Sequence, residues 1–229
     1  MTEQQGMFIT FEGLDGCGKS TQAEKLARAL RSSGHTVIST REPGGTEMGE
    51  RIRALLLDSR TLGLAAETEL ALMFAARAQH VQETILPALQ AGKIVLCDRF
   101  SDSSEAYQGG GRGLGSEPVL ALHRALCGDL QPQLTILMEY DVTASVARAR
   151  RRNHAHGRKR GRSADEGRFE HENQRFFERV HEAYEAIARR EPQRVVRVDA
   201  RRPIEVVHRD ILEKVRQRLR LQARNLGRR

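Results

Sequence analysis

Tryptophan is absent from this chain and aromatic residues make up only 4% of it, so the interior has to be assembled from aliphatic side chains. Long apolar runs are missing too: no window approaches the roughly 18 apolar residues of a membrane span. The start, MTEQQG, has neither the basic residues nor the apolar stretch of a secretion signal, which makes the cytoplasm the expected compartment. Cysteine is scarce. Cys17, Cys97 and Cys127 are odd in number and far apart, and none forms a C-x-x-C pair, which argues against a disulfide framework and a structural zinc site. An acidic excess is lacking as well, since 38 Lys and Arg face 30 Asp and Glu for a net charge of +8. That surplus is local. Residues 148–168 hold nine basic and two acidic residues (+7), residues 214–229 hold seven basic and no acidic residues (+7), and the remainder is therefore 8 − 14 = −6. Basicity confined to two segments does not make a nucleic-acid-binding face, so no nucleic-acid partner is expected.

What is present is an alternation. Short apolar runs at Met7–Glu12, Thr36–Thr40, Ile94–Cys97, Gln133–Tyr140 and Val195–Val198 read as parallel strands buried on both faces. Helical patterns lie between them at Lys19–Arg31, Thr46–Leu57, Ala65–Gln90 (with a kink at Pro87), Ser101–Tyr107, Glu117–Cys127, Val142–Arg152, Arg168–Arg189 and Pro203–Leu221. The pattern predicts an α/β doubly wound sheet with ligands at the C-terminal strand edge. With 229 residues and no linker, one domain over 1–229 is expected. Gly109–Gly115 and Asn153–Gly167 read as mobile loops.

Gly13-Leu14-Asp15-Gly16-Cys17-Gly18-Lys19-Ser20-Thr21 matches G-x-x-x-x-G-K-[ST] between a strand and a helix. Its glycines let backbone N–H groups turn onto phosphate oxygens, Lys19 reaches the β and γ phosphates, and the Ser20 hydroxyl is placed for Mg²⁺. A strand ending in Asp-Glu, usual in motors and pumps, is absent, and so is the Asn-Lys-x-Asp motif of guanine-nucleotide switches. Instead IVLCDRF ends a strand with Asp98 and Arg99. One carboxylate near Mg²⁺ and one guanidinium for a second phosphate suit transfer between two phosphates better than attack by water. Arg41 in TREPGG is a forked donor for an acceptor phosphate, or else a solvated turn residue. Phe74 and Arg77 share a helix face and could hold a base, or serve as core and ion-pair residues. Tyr107 and Gln108 precede a glycine run and could pack on a sugar and read a base edge.

Taken together, FITFEGLDGCGKST, TREPGGTEMGERIRALLLD, MFAARAQH and LCDRFSDSSEAYQGGGRG resemble the bacterial thymidylate kinases, over about residues 7–212. The resemblance implies a P-loop nucleoside-monophosphate-kinase fold with five parallel strands, and transfer of the ATP γ-phosphate to dTMP in dTTP biosynthesis, de novo and salvage. It implies Mg²⁺ with ATP, and a homodimer. It further implies that Asp15 contacts the sugar 3′-hydroxyl, Arg41 and Arg99 hold the dTMP phosphate, Arg77 and Gln108 contact thymine, Tyr107 crowds the 2′ position, and Asp98 assists near Mg²⁺ or the acceptor. The stacking residue is Phe74, or Met73 beside it. The alternative is a related P-loop kinase for another deoxynucleotide or nucleoside.

The interior of the phosphate loop carries no arginine. By the same resemblance the catalytic cation belongs to a basic lid over about 148–168, with Arg150, Arg152 and Arg168 the favoured candidates. Arg158, Arg160 and Arg162 read as solvated charge, His154 and His156 as no metal site, the tail from 214 as a solvated basic helix, and Cys17 as a small residue facing away from the phosphates.

Overall fold

The computed structural model describes residues 6–58, 60–61, 63–160 and 168–226, with the backbone alone for 152–160, 170–171 and 225–226. Strands β1 (Met7–Glu12), β2 (Val37–Arg41), β3 (Ile94–Asp98), β4 (Leu134–Glu139) and β5 (Val195–Asp199) form one parallel sheet in the order β2-β3-β1-β4-β5. This is the five-stranded parallel sheet that the motifs imply. Parallel pairing demands crossovers, and helices supply them. The helices are α1 (Lys19–Ser32), α2 (Glu47–Leu57), α3 (Ala66–His80), α4 (Leu86–Gln90), α5 (Ser101–Ser104), α6 (Ser116–Cys127), α7 (Val142–Arg160), α8 (Gln174–Arg190) and α9 (Ile204–Leu226).

All six residues of β1 are buried, because both faces are covered. Met7, Ile9 and Phe11 point into a core shared with Leu26 and Leu30 of α1 and Ile211 and Val215 of α9. Phe8 points the other way, onto Phe74, Val81 and Phe100. The strand period of two thus feeds two apolar layers, which is why the run looks continuously apolar in sequence. Register aligns the strand ends: Phe11 pairs with Asp98, and Asp98 with Arg41, so the turn after β1, the Asp98-Arg99 corner and the end of β2 share one sheet edge.

Several element boundaries differ from the sequence reading. The expected kink at Pro87 takes the form of one wider turn, Val81–Ile85, that joins α3 to α4. A proline has no N–H to give and crowds the preceding turn, and an i→i+5 turn absorbs that locally. The glycine run is not a loop at its start. Glu105–Gly111 is a helical stretch with the wider i→i+5 spacing, buried against α8. A Cβ on Gly111 would lie 2.6 Å from the Phe176 ring, and one on Gly110 2.7 Å from Ala183 Cβ, so these glycines serve close helix packing. Helix α7 runs on to Arg160, past the expected end at Arg152, and 161–167 lie outside the described residues. The helix expected from Arg168 is divided: Arg168–His171 is a 3₁₀ turn, and α8 begins after Asn173, whose side chain accepts from the Phe176 N–H.

Candidate functional site

The loop after β1 is built on backbone that only glycine adopts readily. Gly13, Gly16 and Gly18 have φ of 127°, 84° and 99°. A Cβ on Gly13 would meet the Met138 carbonyl oxygen at 2.5 Å, and one on Gly16 the Ser145 carbonyl oxygen at 2.3 Å. Gly18 caps α1 with no side-chain acceptor, so the first N–H groups of the helix are open to an anion, with the positive end of the helix dipole behind them. Lys19 Nζ donates to the Gly13 and Leu14 carbonyls (3.0 and 2.8 Å) and lies 3.9 Å from an Asp15 oxygen. Ser20 and Thr21 are exposed, and Ser20 Oγ donates to Asp98 Oδ2 at 2.6 Å. The second residue of α1 and the end of β3 thus place two hard oxygens side by side, a donor set suited to Mg²⁺, which keeps waters and takes one or two carboxylates plus phosphate oxygens. Leu14 and Cys17 are buried in the core clusters.

Beside this loop lies a cavity of about 130 Å³. Asp15, Arg99 and Tyr107 line one part of it. Arg99 Nη2 donates to Asp15 Oδ1 (2.8 Å) and the Tyr107 hydroxyl (3.1 Å), and Nη1 to Ser103 Oγ (2.8 Å) and the Tyr184 hydroxyl (3.1 Å). Burial would discharge this guanidinium, but Asp15, Tyr107, Tyr184 and Asp98 around it together more than offset that and hold the pKa well above its ordinary value. Its backbone has φ 74°, unfavourable for a residue with a Cβ. The turn is pinned on both sides: the Arg99 N–H donates to the Phe11 carbonyl (2.9 Å) and the Phe100 N–H to Glu12 Oε1 (2.7 Å). Glu12 is fully buried, and burial, with the Asp102 charge, pushes it up to about 7. Ser103 and Tyr184 both donate to its other oxygen, so Glu12 underlies the hydroxyls that face Arg99.

Arg77 and Gln108 line the other part of the cavity. Arg77 is 2% exposed, and its Nε donates to Glu42 (2.6 Å) while Nη2 donates to the Phe100 carbonyl and Ser104. Burial alone would raise the Glu42 pKa, but the charges and hydrogen bonds of Arg77 and His80 together outweigh it and hold the carboxyl below the usual range. Arg77 Nη1 is buried with no hydrogen-bond partner among the described residues. A buried donor without an acceptor is costly, and an orphan in a cavity wall is a ready contact for a ligand oxygen. Gln108 Nε2 donates to Glu69 Oε1 (2.8 Å), which leaves its carbonyl oxygen as the polar atom it can offer to the cavity.

Not every expected residue lies there. Phe74, expected to stack on a base, is fully buried below the Arg77 guanidinium, 4.5 Å from its ring centroid; Met73 lines the cavity instead, as does Phe100. Arg41, expected on an acceptor phosphate, is not among the lining residues; its side chain is 55% exposed and pairs with Glu50 at 2.9 Å. Arg168, expected as a lid cation, is 9% exposed, donates to the Leu56 carbonyl and pairs with buried Glu69 at 2.7 Å. Arg150 is exposed and donates to the Glu172 carbonyl (3.2 Å). The side chains of Arg152, His154, His156, Arg158 and Arg160, and all of Arg162, lie outside the described residues.

Residues that escaped the sequence reading include Arg53, Phe169 and Glu69. Arg53 lines the cavity and donates to the Pro43 carbonyl (3.0 Å). It stands four after buried Gly49 and three and four before buried Leu56 and Leu57, so its spacing alone marks it as facing inward. Phe169 lines the cavity from the 3₁₀ turn Arg168–His171, and its ring meets Tyr107 edge-on, with centroids 5.6 Å apart. Glu69 looks in sequence like an ordinary helix carboxylate, yet it is fully buried.

A family model described as thymidylate kinase matches residues 11–211. The thymidylate kinase of Desulfovibrio desulfuricans is 51% identical over 201 residues, covering 88% of this chain and 91% of that protein. That of Pseudomonas putida is 49% identical over 205 residues, covering 90% and 94%. The crystal structure of thymidylate kinase from Ehrlichia chaffeensis aligns with a TM-score of 0.73 at 32% identity, covering 93% of this chain and 99% of that one.

Proposed function

Because the chain belongs to the thymidylate kinase family, and so phosphorylates dTMP to dTDP with ATP as donor on the route to dTTP, we propose how its own residues divide that work. ATP lies along Gly13–Thr21, its phosphates on the loop N–H groups and the start of α1, with Lys19 turning from the loop carbonyls toward the β and γ phosphates. Ser20 and Asp98 hold Mg²⁺, which when bound neutralises charge on the donor phosphates.

The acceptor occupies the cavity. Arg99 and Arg53 hold its phosphate, Asp15 the sugar hydroxyl, and Tyr107 fills the space beside the sugar. Met73 and Phe100 flank the base. One observation carries the reading of thymine: a cavity next to a phosphate loop offers a partnerless donor, Arg77 Nη1, and an acceptor, the Gln108 carbonyl. Thymine presents the complement, an acceptor at O4 and a donor at N3. Of the lid cations, Arg150 and Arg152 serve the transferring phosphoryl group, whose equatorial oxygens gain charge, while Arg168 braces the acceptor side through Glu69.

The chain works as one domain over 1–229, with a lid about 148–168 and a basic tail from about 214, and acts in the cytoplasm without nucleic acid. Among the described residues no helix is long and apolar enough to cross a membrane. It pairs as a homodimer through α2, α3 and α6, which pack side by side and leave Met48, Leu55 and Leu126 exposed. Purified protein with Mg²⁺ and ATP is expected to form dTDP from dTMP without added DNA or RNA, and to leave dCMP and thymidine largely unconverted. Turnover of dCMP equal to that of dTMP would remove the base assignment, and ATP hydrolysis that requires nucleic acid would remove the kinase reading.

A further inference from the structure

Glu69 of α3 is fully buried, and three side chains converge on it, Gln108 and Arg112 from the Glu105–Gly111 stretch and its cap, and Arg168 from the 3₁₀ turn. Gln108 Nε2 donates to Oε1 at 2.8 Å. Arg112 Nε donates at 3.2 Å and its Nη2 lies 3.0 Å from Oε2. Arg168 Nη2 donates to Oε2 at 2.7 Å. A buried carboxylate between two guanidiniums is a pure acceptor, and every partner it draws in must come as a donor.

For the two arginines this has no choice in it, since a guanidinium only donates. For Gln108 it decides which way round the amide stands. A glutamine amide is a donor at one end and an acceptor at the other, and a half-turn about its last bond exchanges them. Glu69 takes the nitrogen end, and the end left for the cavity is the oxygen. Cytosine differs from thymine at this edge: its N3 is an acceptor and its 4-position carries a donor. Against a Gln108 oxygen, cytosine would bring two lone pairs together; against a Gln108 nitrogen, it would gain a bond.

We infer that Glu69 is a specificity-determining positioning residue, which selects pyrimidines with an N–H at N3 by holding the Gln108 amide with its oxygen toward the cavity. The inference rests on the reading above that Gln108 meets the acceptor base. A purely structural tie between α3, Arg112 and Arg168 would behave differently, lowering activity on every substrate together.

The test is kcat/KM for dTMP and for dCMP, at saturating Mg²⁺-ATP, with Glu69→Gln, Glu69→Asp and Gln108→Met enzymes, alone and with Glu69→Gln and Gln108→Met combined. Glu69→Asp keeps the charge that balances Arg112 and Arg168 while withdrawing it from Gln108, so it serves should the neutral variant not fold. Both changes at Glu69 are expected to lower the dTMP-to-dCMP preference by roughly tenfold or more, the scale of one hydrogen bond exchanged for an unsatisfied group. Gln108→Met is expected to lower it likewise, and the combined variant no further, since both act through one amide. A preference that falls in Gln108→Met but stays unchanged in the Glu69 variants overturns the inference. A preference unchanged in Gln108→Met overturns the base reading beneath it.

Discussion

Arg53 and Arg41 offer the sharpest contrast between placement and sequence position. Arg53 lines the cavity, while Arg41 sits outside it in an exposed pair with Glu50. Arg53→Met keeps the aliphatic stem and a good helix former but removes the charge. A charge-assisted hydrogen bond to phosphate is worth about 1.5–3 kcal/mol, which at 1.4 kcal/mol per factor of ten corresponds to roughly 10- to 150-fold. The KM for dTMP is therefore expected to rise by about that factor, with KM for ATP within about twofold. Arg41→Ala removes a surface pair of about 0–1 kcal/mol and is expected to shift KM for dTMP by less than about fivefold. Steady-state kinetics with dTMP varied at saturating ATP, and ATP varied at saturating dTMP, measure both. A larger rise for Arg41→Ala than for Arg53→Met would refute the argument from cavity lining, as would an equal effect of Arg53→Met on both substrates. A melting temperature for each variant separates lost binding from lost packing.

Asp98→Asn should lower kcat or Mg²⁺ affinity by at least about 10–100-fold, the cost of disturbing even a group behind a metal ligand, as read by a Mg²⁺ titration of activity. Gly111→Ala should destabilise by about 1–3 kcal/mol, because its methyl would meet Phe176 and Val180 below 3 Å; denaturant unfolding checks it, and an unchanged midpoint would show that α8 yields freely. Glu12 titrates near 7 when folded against 4.5 unfolded, so between these values the folded state holds the extra proton. Stability from this group is full below pH 4.5, falls by roughly 3 kcal/mol as pH rises to 7, and is flat above. Unfolding free energies from pH 5 to 8 should show that fall in the wild type relative to Glu12→Gln, and parallel profiles would exclude it.

The phosphate loop was legible in sequence because its requirements are local. Three glycines at fixed spacing, a strand before and a helix after are all contained within some twenty residues. Asp98 and Arg99 were legible for a similar reason: a strand end puts its last residues at the ligand edge of a parallel sheet. Phe74 was harder. One step along a helix is a rotation of about 100°, enough to exchange a cavity wall for the core, and Met73 and Phe74 are both apolar. The glycine run misled in another way. Glycine permits mobility and it also permits contact, and only the position of Phe176 on α8 shows which applies at Gly111.

By itself the sequence determined the α/β alternation, the phosphate cradle and the identity of the family, since strand periodicity, glycine spacing and motif order are properties of the chain read in one direction. The tertiary structure decided which guanidiniums line the cavity and which are spent elsewhere. Arg168 meets Glu69 across 99 residues, and Gln108 meets the same carboxylate across 39. An arginine looks the same in sequence whether its charge is matched by a buried carboxylate, by solvent or by a ligand phosphate. Only packing sets the distance to its partner, and that distance fixes the electrostatic work the charge is left to do.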